Sequence, residues 1–253
     1  EIRNCDWSSD VCSSDLFESP PKSSRNGESH PSDASHDTMN PASKPNSLLV
    51  LAGIFGLVGC GAMVVDVPLA LALIHLRLPK ELAQVIKFSE VVGHGTGVAM
   101  VLIAALVLTG INLNRQQDRL LTLRLLGATY LGGLVVDGFK LVVPRVRPQA
   151  ASLNALTSVL DTFGNSLLRP EFHSRAALMS FPSGHAATAA GLAATLCWLA
   201  PKGRPVFSTM AVLACLQRLV GGSHYLSDLC FGAALGLLAA WLCLPKSSPS
   251  SQV

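Results

Sequence analysis

The chain has 253 residues, 49 % of them hydrophobic and only 14 % charged, too few charges for an ordinary soluble domain. A net charge of +3 and an aromatic content of 6 % exclude a nucleic-acid footprint and a platform for stacking bases. The composition points to a membrane protein.

Residues 1–16 contain DWSSDVCSSDL, a string with no helical or strand period. It reads as the translation of a sequencing adapter, so 1–16 are expected to be an artefact outside the fold. Met39 is one candidate for the native start. Residues 17–46 are rich in Ser, Pro, Asn and charge and are expected to form a disordered tail. From residue 47 to 245 the character is that of one membrane domain, followed by a short tail at 246–253.

Within that domain six apolar runs are long enough to be read as transmembrane helices: 47–65, 91–113, 120–139, 182–200, 206–220 and 225–244. Six such runs in one small chain predict an all-α, polytopic helical bundle. Cys60, Cys197, Cys215, Cys230 and Cys243 lie in apolar stretches and read as packing residues; Cys5 and Cys12 belong to the terminal segment. Lys44, Arg115, Arg119, Arg124, Lys202, Arg204 and Lys246 fall at one set of span ends, assigned to the cytoplasm, with Trp198 and Trp241 at the same interface. Arg77, Lys80, Lys87, Lys140, Arg145, Arg147, Arg169 and Arg175 fall at the opposite, external end, so that orientation holds only if several of them have a task there.

Lys140, Arg147, His185, Arg218, His224 and Asp228 all lie at that external end of their spans. A cationic cluster at a membrane face calls for an anion, and the forked donors of arginine suit phosphate. Three segments carry the pattern: KLVVPRVRP, with Lys140, Arg147 and Pro148; FPSGHAAT, with Pro182, Ser183, Gly184 and His185; and QRLVGGSHYLSD, with Arg218, His224 and Asp228. In order and spacing this resembles the three-part signature of the type 2 phosphatidic acid phosphatase superfamily, whose anion cradle is shared with the vanadium haloperoxidases. Gln217 stands where that family commonly has Ser, a change expected to alter local packing or a hydrogen bond.

The resemblance implies a role for each residue, and the chemistry is consistent with each. His224 is the expected nucleophile, splitting hydrolysis into two steps through a phosphohistidine. Asp228, four residues on, is expected to accept from its other ring nitrogen. His185 is the expected general acid. Lys140, Arg147 and Arg218 are expected to hold the phosphate oxygens, with Ser183 and the Gly184 amide adding donors at a helix start. No metal or other cofactor is expected, because the sequence offers no Mg²⁺ or Zn²⁺ constellation and Asp228 has a use on His224.

Other ionisable residues receive plainer readings. His75, His94 and His173 are solvated or capping groups, Lys87 and Glu90 interfacial, and Arg145 and Arg175 are read at most as adding to the field of the pocket. Asp66 and Asp137 pair with basic neighbours or face water, Asp137 standing three residues before Lys140. The segment 149–181 is too broken to span and is expected to cap the site, with helical periodicity over 153–163.

The expected activity is hydrolysis of a lipid phosphate or diphosphate at the periplasmic face of a bacterial inner membrane. The resemblance implies phosphatidic acid, phosphatidylglycerol phosphate, a polyprenyl diphosphate or a lipid A-type phosphate as substrate. The expected partners are that lipid and the bilayer, with no nucleic acid and no obligatory protein. The competing readings are a lipid phosphotransferase using the same histidine and, in another class, an anion carrier, although the two halves of the chain show no repeat.

Overall fold

The computed structural model describes residues 45–74, 76 and 79–245. The expected artefact, the tail up to residue 44, the segment 246–253, and with them Lys44, His75, Arg77 and Lys246, lie outside the described residues.

Nine α-helices follow in chain order among these residues: α1 (Pro45–Ala62), α2 (Asp66–Ile74), α3 (Lys80–Phe88), α4 (Glu90–Gly93), α5 (Gly95–Leu108), α6 (Gln116–Val142), α7 (Gly184–Leu199), α8 (Arg204–Val220) and α9 (Leu226–Cys243). The described residues contain no strand, only isolated bridges such as Arg145 with Phe163 and with Met179. The all-α expectation therefore holds. Five of the six apolar runs appear as helices within a few residues of their expected bounds.

The sixth run, 91–113, is not one continuous helix. It breaks at His94, whose backbone is extended (φ −89°, ψ 133°), into α4 and α5. Gly93, Gly95 and Gly97 lower the cost of leaving the helix. The turn also needs Gly97, since a Cβ there would lie 2.1 Å from the Val91 carbonyl oxygen. At the end of α1 the chain bends by 76° into α2. Pro68 accounts for this, having no N–H and a ring that would clash with a carbonyl one turn back if α1 ran on.

Helices α6 and α9 are long and apolar enough to cross a membrane, and the bent α1–α2 pair makes a third candidate. Helices α5, α7 and α8, of 14, 16 and 17 residues, are shorter than the about 20 that a bilayer core requires of an upright helix. Large apolar side chains such as Leu57, Met100, Val107, Leu134 and Val212 are exposed on the outer helix faces. Such a surface needs lipid around it, and with the long apolar helices it marks an integral membrane protein.

Helix α9 packs against α1, α6 and α7. The core joining these four contains Ala52, Leu125, Ala128, Ala194, Leu237 and Ala240, while Val98, Leu102, Leu192 and Ala214 join α5, α7 and α8. The approach of α9 to α7 is very close. A Cβ on Gly232 would sit 2.2 Å from the Ser183 carbonyl oxygen, and one on Gly236 would sit 2.1 Å from that of Ala187. Small residues four apart on both helices let the backbones touch, and this contact sets the start of α7 beside the start of α9.

The segment after α6 has its own small core of Val146, Ala150, Ala151 and Ala177. The helical periodicity expected over 153–163 does not become an α-helix; only Leu160–Thr162 makes a 3₁₀ turn. The polar side chains take the backbone donors instead. Asn154 accepts from the Leu156 N–H, Thr157 from that of Asn154, and Asp161 from that of Ser158.

Candidate active site

The start of α7 is built as the PSGH segment predicts. Ser183 is its N-cap, its hydroxyl accepting from the Ala186 N–H at 3.4 Å, and the helix begins at Gly184. The Ser183 N–H donates to the Asp228 carbonyl at 2.9 Å, so the first turns of α7 and α9 are tied together. The unpaired N–H groups of α7's first turn make this end electropositive.

His185 in that first turn lies within electrostatic reach of Arg218, His224 and Lys140. Arg218 is at the end of α8, His224 lies between α8 and α9, and Lys140 is in the last turn of α6. A Cβ on Gly184 would lie 3.2 Å from the Lys140 ammonium, which places that cation over the turn; it also donates to Asp137 at 3.2 Å, the pairing expected from their spacing. Arg147 and Arg218 both act on His224. The residues read from the three segments thus form one cluster. Burial, and after it the charge of Arg218, lower the pKa of Arg147 from its usual value, a strain that an anion between the two arginines would relieve.

The imidazole of His224 is buried, and its Nδ1 lies 2.7 Å from the main-chain oxygen of Ser180. A carbonyl oxygen only accepts, so Nδ1 carries the proton and Nε2 keeps the lone pair. Burial is the main cause that lowers the His224 pKa. The two arginines add to it and Asp228 opposes it. A neutral imidazole with a free Nε2 is the nucleophilic form.

Here the structure corrects one expectation. The hydrogen-bond partner of Nδ1 is Ser180, and the nearer Asp228 oxygen stands 3.8 Å away. Asp228 is wholly buried and already engaged: Oδ2 accepts from Ser180 Oγ at 2.6 Å and from the Tyr225 N–H at 2.9 Å, and Oδ1 pairs with Arg145. It faces the ring as a charge and holds the residue that orients it.

Arg145, read from the sequence at most as adding to the field of the pocket, is wholly buried here. Its guanidinium pairs with Asp228 and, at 2.8 Å, with Asp66 of α2; it also donates to Ser227 Oγ at 2.9 Å and to Thr162 at 3.0 Å. The rings of Tyr225 and Phe163 flank it at 4.1 and 4.7 Å. Glu90 was also missed: it pairs with Arg218 at 3.4 Å. His94 stands edge-on to His185, ring centres 6.1 Å apart. Asp66 and Glu90 carried a usable signal, as ionisable groups at the margins of apolar runs. Ser180 carried none, because it acts on the ring through its main chain.

His185 Nε2, Arg147 Nε and Arg218 Nε are buried without a hydrogen-bond partner among the described residues, and Gln217 Oε1 shares that condition. The first three belong to the cluster and are groups that can donate to an oxyanion. No group of three or more His, Cys, Asp or Glu among the described residues is arranged to hold a metal ion.

Residues 121–250 match the family model described as the PAP2 superfamily. The chain is 32 % identical over 104 residues to a lipid A 1-phosphatase of Rhizobium etli, covering 41 % of this chain and 40 % of that protein. It is 31 % identical over 112 residues to a lipid A 1-phosphatase of Rhizobium johnstonii, covering 44 % and 41 %. The chain thus matches about two fifths of the length of these curated relatives. Its fold is similar to that of a transmembrane PAP2 type phosphatidylglycerolphosphate phosphatase from Bacillus subtilis, with a TM-score of 0.51 and 22 % identity, over 79 % of this chain and 94 % of that one.

Proposed function

The chain belongs to the PAP2 superfamily, and from that premise we propose that it is an integral membrane phosphatase that hydrolyses a lipid phosphate through a phosphohistidine on His224. The observation that carries this reading is the bond from His224 Nδ1 to the Ser180 carbonyl, which leaves Nε2 as the nucleophilic nitrogen beside two arginines and His185.

In the first step the Nε2 lone pair attacks phosphorus in line. The bond from phosphorus to the lipid oxygen breaks, and His185 gives its proton to that oxygen. The negative charge of the bound phosphate favours the protonated His185 that this step needs. In the second step water attacks phosphorus and His185 takes its proton. The phosphorus–nitrogen bond breaks, its electron pair returns to Nε2, and inorganic phosphate leaves. Lys140, Arg147, Arg218 and the amides at the start of α7 hold the non-bridging oxygens and meet the charge of the transition state. These fixed cations supply the charge neutralisation, so turnover is expected in the presence of a chelator.

The lipid class follows from location. A phosphate site at the ends of membrane helices suits a substrate whose tail stays in the bilayer. Phosphatidic acid, phosphatidylglycerol phosphate and polyprenyl diphosphate fit that description. The relatives named lipid A 1-phosphatases make a phosphate on a lipid A-type sugar the first substrate to test. In this reading the chain crosses a bacterial inner membrane six times, with the site facing the periplasm.

The test is phosphate release by purified protein in detergent with EDTA, across these lipids and a soluble ester, for wild type, His224→Ala and His185→Ala. Release by wild type and loss in His224→Ala supports the reading. Folded wild-type protein that releases phosphate from none of them overturns it.

A further inference from the structure

Among the described residues no hydrogen bond or ion pair joins the side chain of Asp66 or Arg145 to Lys140, Arg147 or Arg218, yet Asp66 and Arg145 are both fully buried and charged. Groups of this kind are costly to keep unless something depends on them.

Ser180, the residue that orients His224, is held from three directions. Its N–H donates to the Arg145 carbonyl at 3.1 Å, its hydroxyl donates to Asp228 at 2.6 Å, and its carbonyl accepts from the imidazole at 2.7 Å. The Arg145 side chain holds the same Asp228, and its main-chain N–H is fixed to the Leu178 carbonyl at 2.8 Å. One arginine therefore supports the ring through both its backbone and its guanidinium. On its far side the guanidinium meets Asp66, which also accepts from the Ser227 N–H at 3.0 Å and from the Ser227 hydroxyl. The break between α1 and α2 is what brings Asp66 to this place.

The charges add to the argument. Two carboxylates share one guanidinium, so the buried trio carries one net negative charge next to a ring that becomes cationic when its nitrogen bonds to phosphorus. With Asp66 opposite Arg145, the arginine does not cancel the whole field of Asp228 at His224.

We propose that Arg145 and Asp66 are positioning residues of the phosphoryl transfer: they fix Ser180 and Asp228, which aim His224 and stabilise the positive charge it gains. This rests on the reading of His224 as nucleophile. It adds α2, a segment outside the matched family region of residues 121–250, to the machinery.

The test is Asp66→Asn, nearly isosteric with the native residue, alongside Arg145→Lys, which keeps a charge and loses the fork, and Arg145→Met. Each is measured in detergent by kcat and KM per folded enzyme, by the rapid-quench rate of acid-labile phosphoenzyme formation, and by thermal midpoint. For Asp66→Asn the expected result is a kcat and a phosphorylation rate roughly 10- to 100-fold lower, with KM within about twofold of wild type. Arg145→Lys is expected to fall between wild type and Arg145→Met. A purely structural role would lower the midpoint and leave turnover per folded enzyme unchanged; that result in Asp66→Asn or Arg145→Lys overturns the proposal. His224→Ala separates the two claims, because phosphoenzyme that still forms in it overturns the nucleophile assignment whatever Asp66→Asn does.

Discussion

The imidazole of His224 donates from Nδ1 to the main-chain oxygen of Ser180 at 2.7 Å, and the Ser180 hydroxyl donates to Asp228 at 2.6 Å. Asp228 therefore reaches the ring mainly through Ser180, its own oxygen standing 3.8 Å from Nδ1. The acceptor that fixes the tautomer is a peptide carbonyl, which cannot take the proton at any working pH.

In the proposed mechanism, replacing His224 by Ala removes the attacking nitrogen. Phosphate release is expected to fall by about 10⁴-fold or more, while inorganic phosphate still binds through Lys140, Arg147 and Arg218. Single-turnover release combined with a phosphate competition assay checks both halves.

The acid role proposed for His185 predicts a dependence on the leaving group. His185→Ala is expected to slow release from an alkyl phosphate by about 10²- to 10⁴-fold. A nitrophenyl ester, whose oxygen leaves without a proton, is expected to suffer much less. Equal losses on both substrates would contradict the acid assignment.

The pH profile follows from burial of His224. Protonation removes the lone pair of the proposed nucleophile, so kcat/KM is expected to fall on the acid side. Burial and the neighbouring Arg147 and Arg218 lower the pKa against the opposing Asp228, so the fall is expected below the ordinary histidine value of about 6.5. An acid limb above that value would mean that Asp228 outweighs burial.

Glu90 occupies one side of Arg218, their nearest atoms 3.4 Å apart. If Arg218 holds phosphate as proposed, Glu90→Gln removes a carboxylate that competes for that cation. A part-exposed pair of this kind is worth little, so the inhibition constant for inorganic phosphate is expected to drop only about two- to fivefold. Product-inhibition kinetics measure it.

Gly236→Ala tests the contact of α9 with α7. Its Cβ would stand 2.1 Å from the Ala187 carbonyl oxygen, so the helices must separate. The thermal midpoint in detergent is expected to fall, consistent with an overpacking cost of about 1–3 kcal/mol. Gly53→Ala, where a Cβ meets nothing within 4 Å, is the control expected to leave it unchanged.

The helical class, the positions of most long helices and the residues proposed to hold the phosphate were legible in the residue pattern alone. Apolar runs and the KLVVPRVRP, FPSGHAAT and QRLVGGSHYLSD segments are local patterns, and membrane helices are governed by local composition. The pattern did not show the break at His94 or the loss of helix over 153–163, where glycines and short polar side chains outweigh periodicity. What holds His224 is visible only in the folded chain. Asp66, Arg145, Ser180 and Asp228 lie far apart in the chain, and the atom that orients the ring is a peptide oxygen, which every residue possesses. No residue type marks such a partner; it becomes one only when the close packing of α7 on α9 and the bend after α1 bring these groups within hydrogen-bond reach.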